Sequence, residues 1–307
     1  MIPKIKVGLI YGGKSPEHNV SKMTAQSVLK NIDHGLFNVK KIYIDRNGDF
    51  DKNLLKDIDV AFLAVHGPNC EDGKLQQYLE QRNIKYTGSG IEASRINMNK
   101  TLQHKTFKKA GLLVTKYRGF DRNGTDQIEG FIKKNGLPVF IKPNNSGSSI
   151  GICKVGNIND VKKAVDEAFK FDCEICIEKA VENPREIELA ILGNNDLVIS
   201  NPGEVLSKGE FYSYETKYFK PFGTTTQAVL NDKEINEFKD LAKQAYRATG
   251  CKGYARVDFL LSDNKIYINE INTLPGFTKI SMFPKLMTNI GIDYKKLITK
   301  IIELALE

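Results

Sequence analysis

Residues 254–278, YARVDFLLSDNKIYINEINTLPGFT, concentrate side chains that could do chemistry. Period-two alternation puts Arg256 and Asp258 on one face of a first strand, and Glu270 and Asn272 on one face of a second. A hairpin closed by the three-residue loop Asp263, Asn264 and Lys265 sets Asp258 opposite Glu270, because both lie six residues from Asn264. Two carboxylates so placed repel each other unless a cation lies between them. A set of Asp, Glu and Asn oxygens, with no His or Cys, points to Mg²⁺ at phosphates rather than to zinc. The second strand runs on into Asn272, Thr273, Leu274, Pro275 and Gly276, a turn that can aim backbone N–H groups at an anion beside such a metal.

Three other segments have the composition of binding loops. In KPNNSGSSIG, Lys142 ends an apolar strand, and a turn with Gly147, Ser148, Ser149 and Gly151 follows. Small residues let the backbone approach a phosphate and lysine supplies the charge, although an ordinary tight turn would read the same way. It is not a Walker A motif, which needs G-x-x-x-x-G-K-[ST] opening a helix. YGGKSPEHNVS places Glu17 and His18 where a strand gives way to a helix, the end of an open α/β sheet where ligands collect. Glu17 there could hold an ammonium group or simply favour the first turn of the helix. HGPNCEDG puts His66 at the corresponding end of the strand DVAFLAV, as a ligand contact or a structural hydrogen-bond partner.

The elements that must position these residues follow from periodicity. IKVGLIYGG is a buried-strand run, followed by a helix with Val20, Met23, Leu29 and Ile32 on one side. VKKIYID and DVAFLAV read as further strands, the second apolar enough to be covered on both faces. One helical stretch from Glu92 to Ala110 leads to GLPVFIKP, GICKV, a helix from Asn159 to Phe169 and CEICIEK. Beyond lie REIELAILGN, LVISNPGEVL, a loop over 207–226, a helix from Asp232 to Thr249, the hairpin and a terminal helix. Three domains are expected: an N-terminal α/β unit over 1–95, a central unit over 96–180 and a C-terminal unit over 181–307. The loop 207–226 is a candidate lid, since unstructured loops this long usually cover sites.

Composition narrows the class. The 307 residues are 41% hydrophobic and 27% charged, ordinary for a soluble protein, and no apolar run is long enough to span a bilayer. The N-terminus lacks the pattern of a signal peptide, so a cytoplasmic location is expected. Five scattered cysteines argue for a reducing compartment, and Cys173 and Cys176 lie three apart in a strand, facing opposite ways. The net charge of +8 is spread along the chain rather than gathered in a stripe, which speaks against nucleic acid and fits anionic small molecules.

In order, GGKSPEHNVS, HGPNCEDGKLQQYLE, KPNNSGSSIG, IEKAVENPREIELAILG, YSYETKY, RVDF and NEINTLPGFT resemble D-alanine:D-alanine ligases, members of the ATP-grasp superfamily, over essentially the whole chain. The resemblance implies an ATP-grasp fold behind a Rossmann-like parallel-sheet domain. It implies ligation of two D-alanines through a D-alanyl phosphate, for peptidoglycan precursor synthesis. ATP and two Mg²⁺ ions are the expected cofactors, with Mn²⁺ as a substitute, and a homodimer is expected with neither nucleic acid nor membrane as partner.

By match, Glu17 would bind the first D-alanine's ammonium with Ser148 and Tyr218, and His66 would lie beside it. Lys100, Lys142 and Lys217 would contact phosphates, the last together with Tyr218 on closure of the lid. Glu178, Lys179 and Val181 would line the adenine pocket and Glu186 would take the ribose. Asp258, Glu270 and Asn272 match the metal ligands, and Arg256 with the Gly276 backbone matches the oxyanion site. Ser281 would hold the second substrate's carboxylate, with the apolar Met282 after it as in D-alanine-selective members.

The chain departs from the resemblance at Cys70 and Gln77, where glycine is common, which affects the backbone near His66. The rivals are D-alanine:D-serine or D-alanine:D-lactate ligases, another ATP-grasp carboxylate-amine ligase and a non-catalytic nucleic-acid binder. The last would have no use for Asp258, Glu270 and Asn272 together.

Overall fold

The structure is a computed structural model that describes residues 3–206, 223–278 and 280–307. Its first sheet is parallel: β1 (Ile5–Gly12) pairs with β2 (Phe37–Ile44) and β3 (Val60–Val65), and β3 with β4 (Lys85–Tyr86), in the order β2-β1-β3-β4. All six residues of β3 are buried, as a strand covered on both faces requires. Gly12 ends β1 at φ +99°, where a Cβ would stand 2.0 Å from the Ile44 carbonyl oxygen, so only glycine fits. The chain then turns into α1 (His18–Asn31), which buries Val20, Thr24, Ala25 and Val28. Met23, expected on the buried side, is half exposed, because the inward stripe runs through Thr24 and Val28 instead. After β3 come α2 (Lys74–Glu80) and α3 (Ile91–Met98).

The single helical stretch expected over 92–110 is two helices, α3 and α4 (Lys100–Lys109). Asn99 has non-helical angles, φ −90° and ψ 105°, and its side chain accepts from Leu102 N–H, which is how Asn competes with a helix interior. The break places Lys100 at the first position of α4, with its N–H donated to the Asn144 carbonyl at 3.0 Å.

The second sheet is antiparallel, β5 (Tyr117–Asp121), β8 (Glu174–Lys179), β6 (Val139–Pro143) and β7 (Cys153–Val155) in that order. Helices α5 (Ile128–Asn135) and α6 (Val161–Ala168) cover it, sharing a core built from Phe131, Ile132, Val165, Ile141 and Ile175. Cys176 is buried within β8 and Cys173 is exposed just before it.

The third sheet has six strands in the order β12-β11-β9-β13-β14, with β10 (Val198–Ile199) on β9 (Arg185–Leu192). The others are β11 (Gly203–Leu206), β12 (Gly223–Thr225), β13 (Tyr254–Ser262) and β14 (Lys265–Asn272). Between β12 and β13, α7 (Asp232–Ala248) opens with a capping box of Asn231 and Glu234 and buries Phe238, Ala242 and Tyr246 against the sheet. The loop expected over 207–226 is therefore shorter at its end, because Gly223–Thr225 pairs with β11. Residues 207–222, with Lys217 and Tyr218, lie outside the described residues.

The last helices, α8 (Met282–Asn289) and α9 (Tyr294–Leu306), join the core of the first sheet. Leu297, Ile298, Ile301 and Ile302 form a stripe with no exposed surface that packs in one cluster with Val7, Leu9 and Phe62. This packing returns the chain's end to the core of its beginning. No helix among the described residues is long and apolar enough to cross a membrane.

Candidate active site

A cavity of about 420 Å³ opens where the three sheets meet. Sixteen of the residues singled out in the sequence line it: Glu17 and His66 from the first sheet, Lys100, Lys142, Ser148, Glu178, Lys179 and Val181 from α4 and the second, and Glu186, Arg256, Asp258, Glu270 and Asn272 from the third, with Gly276, Ser281 and Met282 beyond it. Lys217 and Tyr218 are outside the described residues.

The hairpin reaches its expected pairing by a different route. The turn has two residues, Asp263 and Asn264, both left-handed at φ 49° and 58°, and Ser262 pairs with Lys265. That register alone would set Asp258 opposite Asn269, but a bulge between Asp258 and Phe259 restores Asp258 opposite Glu270 and Arg256 opposite Asn272. Asn264→Val should destabilise the protein by about 1–2 kcal/mol, because a β-branched residue resists the left-handed region. A urea midpoint unchanged from wild type would contradict this account of the turn.

On its other side, Asp258 lies opposite Glu188 of β9, so Glu188, Asp258 and Glu270 form one row across three strands. Glu188 was missed, although a glutamate inside the apolar run IELAIL was the available signal. Arg256 compensates the row: its Nε and Nη2 donate to the two Asp258 oxygens at 2.7 and 2.6 Å, and its Nε lies 3.4 Å from Glu188. Burial alone would lower the guanidinium's pKa, but Asp258 and Glu188 outweigh it and hold it well above its ordinary value.

Among the described residues no group of three or more His, Cys, Asp or Glu is arranged to hold a metal ion. Asp258, Glu270 and Asn272 offer two carboxylates and an amide, whose Oδ1 also accepts from Leu274 N–H at 3.1 Å. So lean an oxygen set suits Mg²⁺, which takes one or two carboxylates and completes its shell with phosphate oxygens and water.

Two lysines, the buried Lys100 and the part-buried Lys142, face the same space. Lys142 pairs with Glu178 at 2.7 Å, and Glu178 also accepts from His104 Nε2 at 3.1 Å. Burial would raise the carboxyl's pKa, but Lys142 and His104 hold it far below the usual range. His104, in the helix KTLQHKTFKK, was not anticipated, since a lone His there looks like any polar helix residue. Lys100 donates to the Ser146 carbonyl. Its pKa is lowered, chiefly by burial, with Lys142 adding to the effect against Glu270 and Glu178. An anion arriving beside Lys100 would relieve that penalty, so the site fits a nucleotide's phosphates.

At the first sheet's end, Glu17 is buried and accepts a hydrogen bond from Ser148. Ser148 and Ser149 are both left-handed, φ 50° and 57°, and each such residue costs about 1–2 kcal/mol. At Gly67 (φ +79°) a Cβ would fall 2.8 Å from a Glu17 oxygen, so glycine keeps that carboxylate accessible. His66 Nδ1 lies 3.1 Å from the Leu274 carbonyl and Nε2 lies 2.9 Å from Thr24 Oγ1, which ties the first sheet to the turn after β14. Burial alone would lower its pKa, but the nearby Glu71 leaves it raised. Cys70 is buried by the β1 turn, its thiol pushed up to about 12 by burial first and then Glu71, Asp72 and Glu17, while Gln77 is exposed on α2.

A family model described as D-ala D-ala ligase C-terminus matches residues 106–303, and one described as D-ala D-ala ligase N-terminus matches 6–54 and 49–89. Among curated relatives, a D-alanine–D-alanine ligase from Oceanobacillus iheyensis is 40% identical over 99% of this chain and 96% of its own length. D-alanine–D-alanine ligase A from Chromobacterium violaceum is 39% identical over the same shares. Among solved structures, the VanG D-Ala:D-Ser ligase from Enterococcus faecalis superposes with a TM-score of 0.88 at 30% identity, covering 99% of this chain and all of that one. The D-alanine-D-alanine ligase from Coxiella burnetii does so at 0.88 and 28% identity, over 99% and 94%.

Proposed function

Because the chain belongs to the D-alanine–D-alanine ligase family, we propose how its own residues perform the family's reaction. It is an ATP-dependent ligase of ATP-grasp fold that joins two D-alanines for peptidoglycan synthesis. A carboxylate is a poor electrophile, so the first D-alanine must be phosphorylated before an amine can displace the oxygen. ATP gives its γ-phosphoryl group to that carboxylate; the second amine then forms the amide bond as the acyl–oxygen bond breaks, releasing ADP and phosphate.

The nucleotide is assigned to the space between the second and third sheets, base by Glu178, Lys179 and Val181, ribose by Glu186, phosphates by Lys100 and Lys142. Asp258, Glu270 and Asn272 would hold Mg²⁺, two ions in this reading with Mn²⁺ as a substitute, which when bound neutralises the transferring phosphoryl group. Glu17 with Ser148 receives the first substrate's ammonium, and His66 stands beside it. Arg256 and the Gly276 N–H meet the oxyanion that grows as the amine attacks. Ser281 holds the second substrate's carboxylate, and the apolar Met282 beside it bounds the acceptor's place. The reading includes a homodimer in the cytoplasm.

The observation that carries this assignment is the in-register pairing of Asp258 and Glu270 with Arg256 alongside. ADP release, measured with D-alanine, D-serine or D-lactate as acceptor, should be fastest with D-alanine and should stop when divalent ions are chelated. Turnover that persists in chelator would sink the metal assignment, and preference for another acceptor would sink the D-alanine selectivity read from Met282.

A further inference from the structure

The acceptor D-alanine brings a carboxylate into a cavity whose described cations are nearly all engaged. Arg256 is held by Asp258 and Glu188, Lys142 by Glu178, Lys100 by the Ser146 carbonyl and Lys179 by the Leu137 carbonyl. Lys285 also lines the cavity, and among the described residues its ammonium makes no hydrogen bond or ion pair. It follows Ser281 by one helical turn, so Ser281, Met282 and Lys285 all present to the cavity from the start of α8.

The neutral donors at this place are the N–H groups of Met282 and Phe283, which open α8 without a side-chain cap and carry no formal charge. The Ser281 hydroxyl already accepts from Thr278 N–H at 3.0 Å and shares a hydrogen bond with Thr278 Oγ1 at 2.9 Å. Pro284, in the first turn of α8, has no N–H to offer. A carboxylate stripped of water needs a charge partner, and the position that Ser281 marks has one unengaged described cation within its helix.

We propose that Lys285 is a specificity-determining residue of this ligase, its ammonium receiving the carboxylate of the second amino acid and so selecting acceptors that carry one. The inference rests on the ligase reading and adds a residue to it. It is tested with the full-length enzyme by comparing D-alanine with D-alaninamide, which keeps the amine and loses the charge, in wild type, Lys285→Met and Lys285→Arg. A charge-assisted hydrogen bond lost from the acceptor complex should raise the KM for acceptor D-alanine by about 10- to 100-fold in Lys285→Met. The KM for ATP should stay within about threefold, Lys285→Arg should recover most of the loss, and D-alaninamide should be used equally well by wild type and Lys285→Met. An unchanged acceptor KM in Lys285→Met overturns the inference. So does an equal loss with D-alanine and D-alaninamide, which would mark Lys285 as structural. Wild-type enzyme that makes no dipeptide would overturn the ligase reading itself, a result separable from both.

Discussion

Arg256→Lys is expected to lower turnover by about 10² to 10³ while ATP affinity changes little, the usual cost of removing one oxyanion donor. Lysine rather than alanine is the informative replacement because Arg256 has a second task. Its guanidinium is the described counter-charge for Asp258 and Glu188, both buried on neighbouring strands. Alanine would strand those carboxylates, at about 3–5 kcal/mol of stability for a broken buried pair, and confuse folding with catalysis. Lysine keeps the charge but not the planar fork, so it can neither grip both Asp258 oxygens nor direct a second N–H toward the reacting carbonyl. The pair with Asp258 does not compete with a metal there, since each carboxylate oxygen has two lone pairs and can accept from arginine while ligating an ion. Steady-state turnover and calorimetric ATP affinity, measured side by side, decide the matter. An equal loss in both would assign Arg256 to the nucleotide rather than to the oxyanion.

The hairpin shows how much of such a site can be read from a sequence. Alternation alone fixes which face Arg256, Asp258, Glu270 and Asn272 share, since a strand's period admits one answer. The turn was harder. Asp263 and Asn264 both tolerate left-handed angles, so a two-residue turn was as available as the three-residue one, and the bulge that offsets it leaves no mark in the residue types. The pairing of Asp258 with Glu270 was therefore reached through two departures that cancel. At Asn99 the pattern looks helical on both sides; its side chain caps α4 at Leu102, and Asn144, some forty residues on, holds that start in place through its carbonyl and side chain at Lys100 and Thr101. The return of α8 and α9 to the first core is likewise invisible locally. An amphipathic helix announces that it will be buried, but not against which sheet.

His104 was the residue least visible in the sequence, and it leads to the largest stability effect. Glu178 is 4% exposed in its side chain, with Lys142 on one oxygen and His104 on the other. Glu178→Gln would leave the Lys142 ammonium buried without its counter-charge, and should cost about 3–5 kcal/mol. The pH dependence has a definite sign. The folded carboxyl sits far below its unfolded value near about 4.3, so its contribution is complete above that pH and drains away as pH falls below it. Burial would depress Lys142, but Glu178 outweighs it and raises its pKa. Its share is thus present below an unfolded value near about 10.4 and lost only as pH climbs through the raised one. The gap in urea midpoint between wild type and Glu178→Gln should therefore be open at neutral pH and close steadily from about pH 4 downward as the wild type loses its ionised carboxylate; it should also narrow at alkaline pH, where the variant's Lys142, depressed by burial without Glu178, sheds its proton. A gap that stays constant from neutral to acid pH would mean that glutamine fails for reasons of shape. The Lys142–Glu178–His104 chain would then be a packing feature rather than an electrostatic support for the lysine that faces the phosphates.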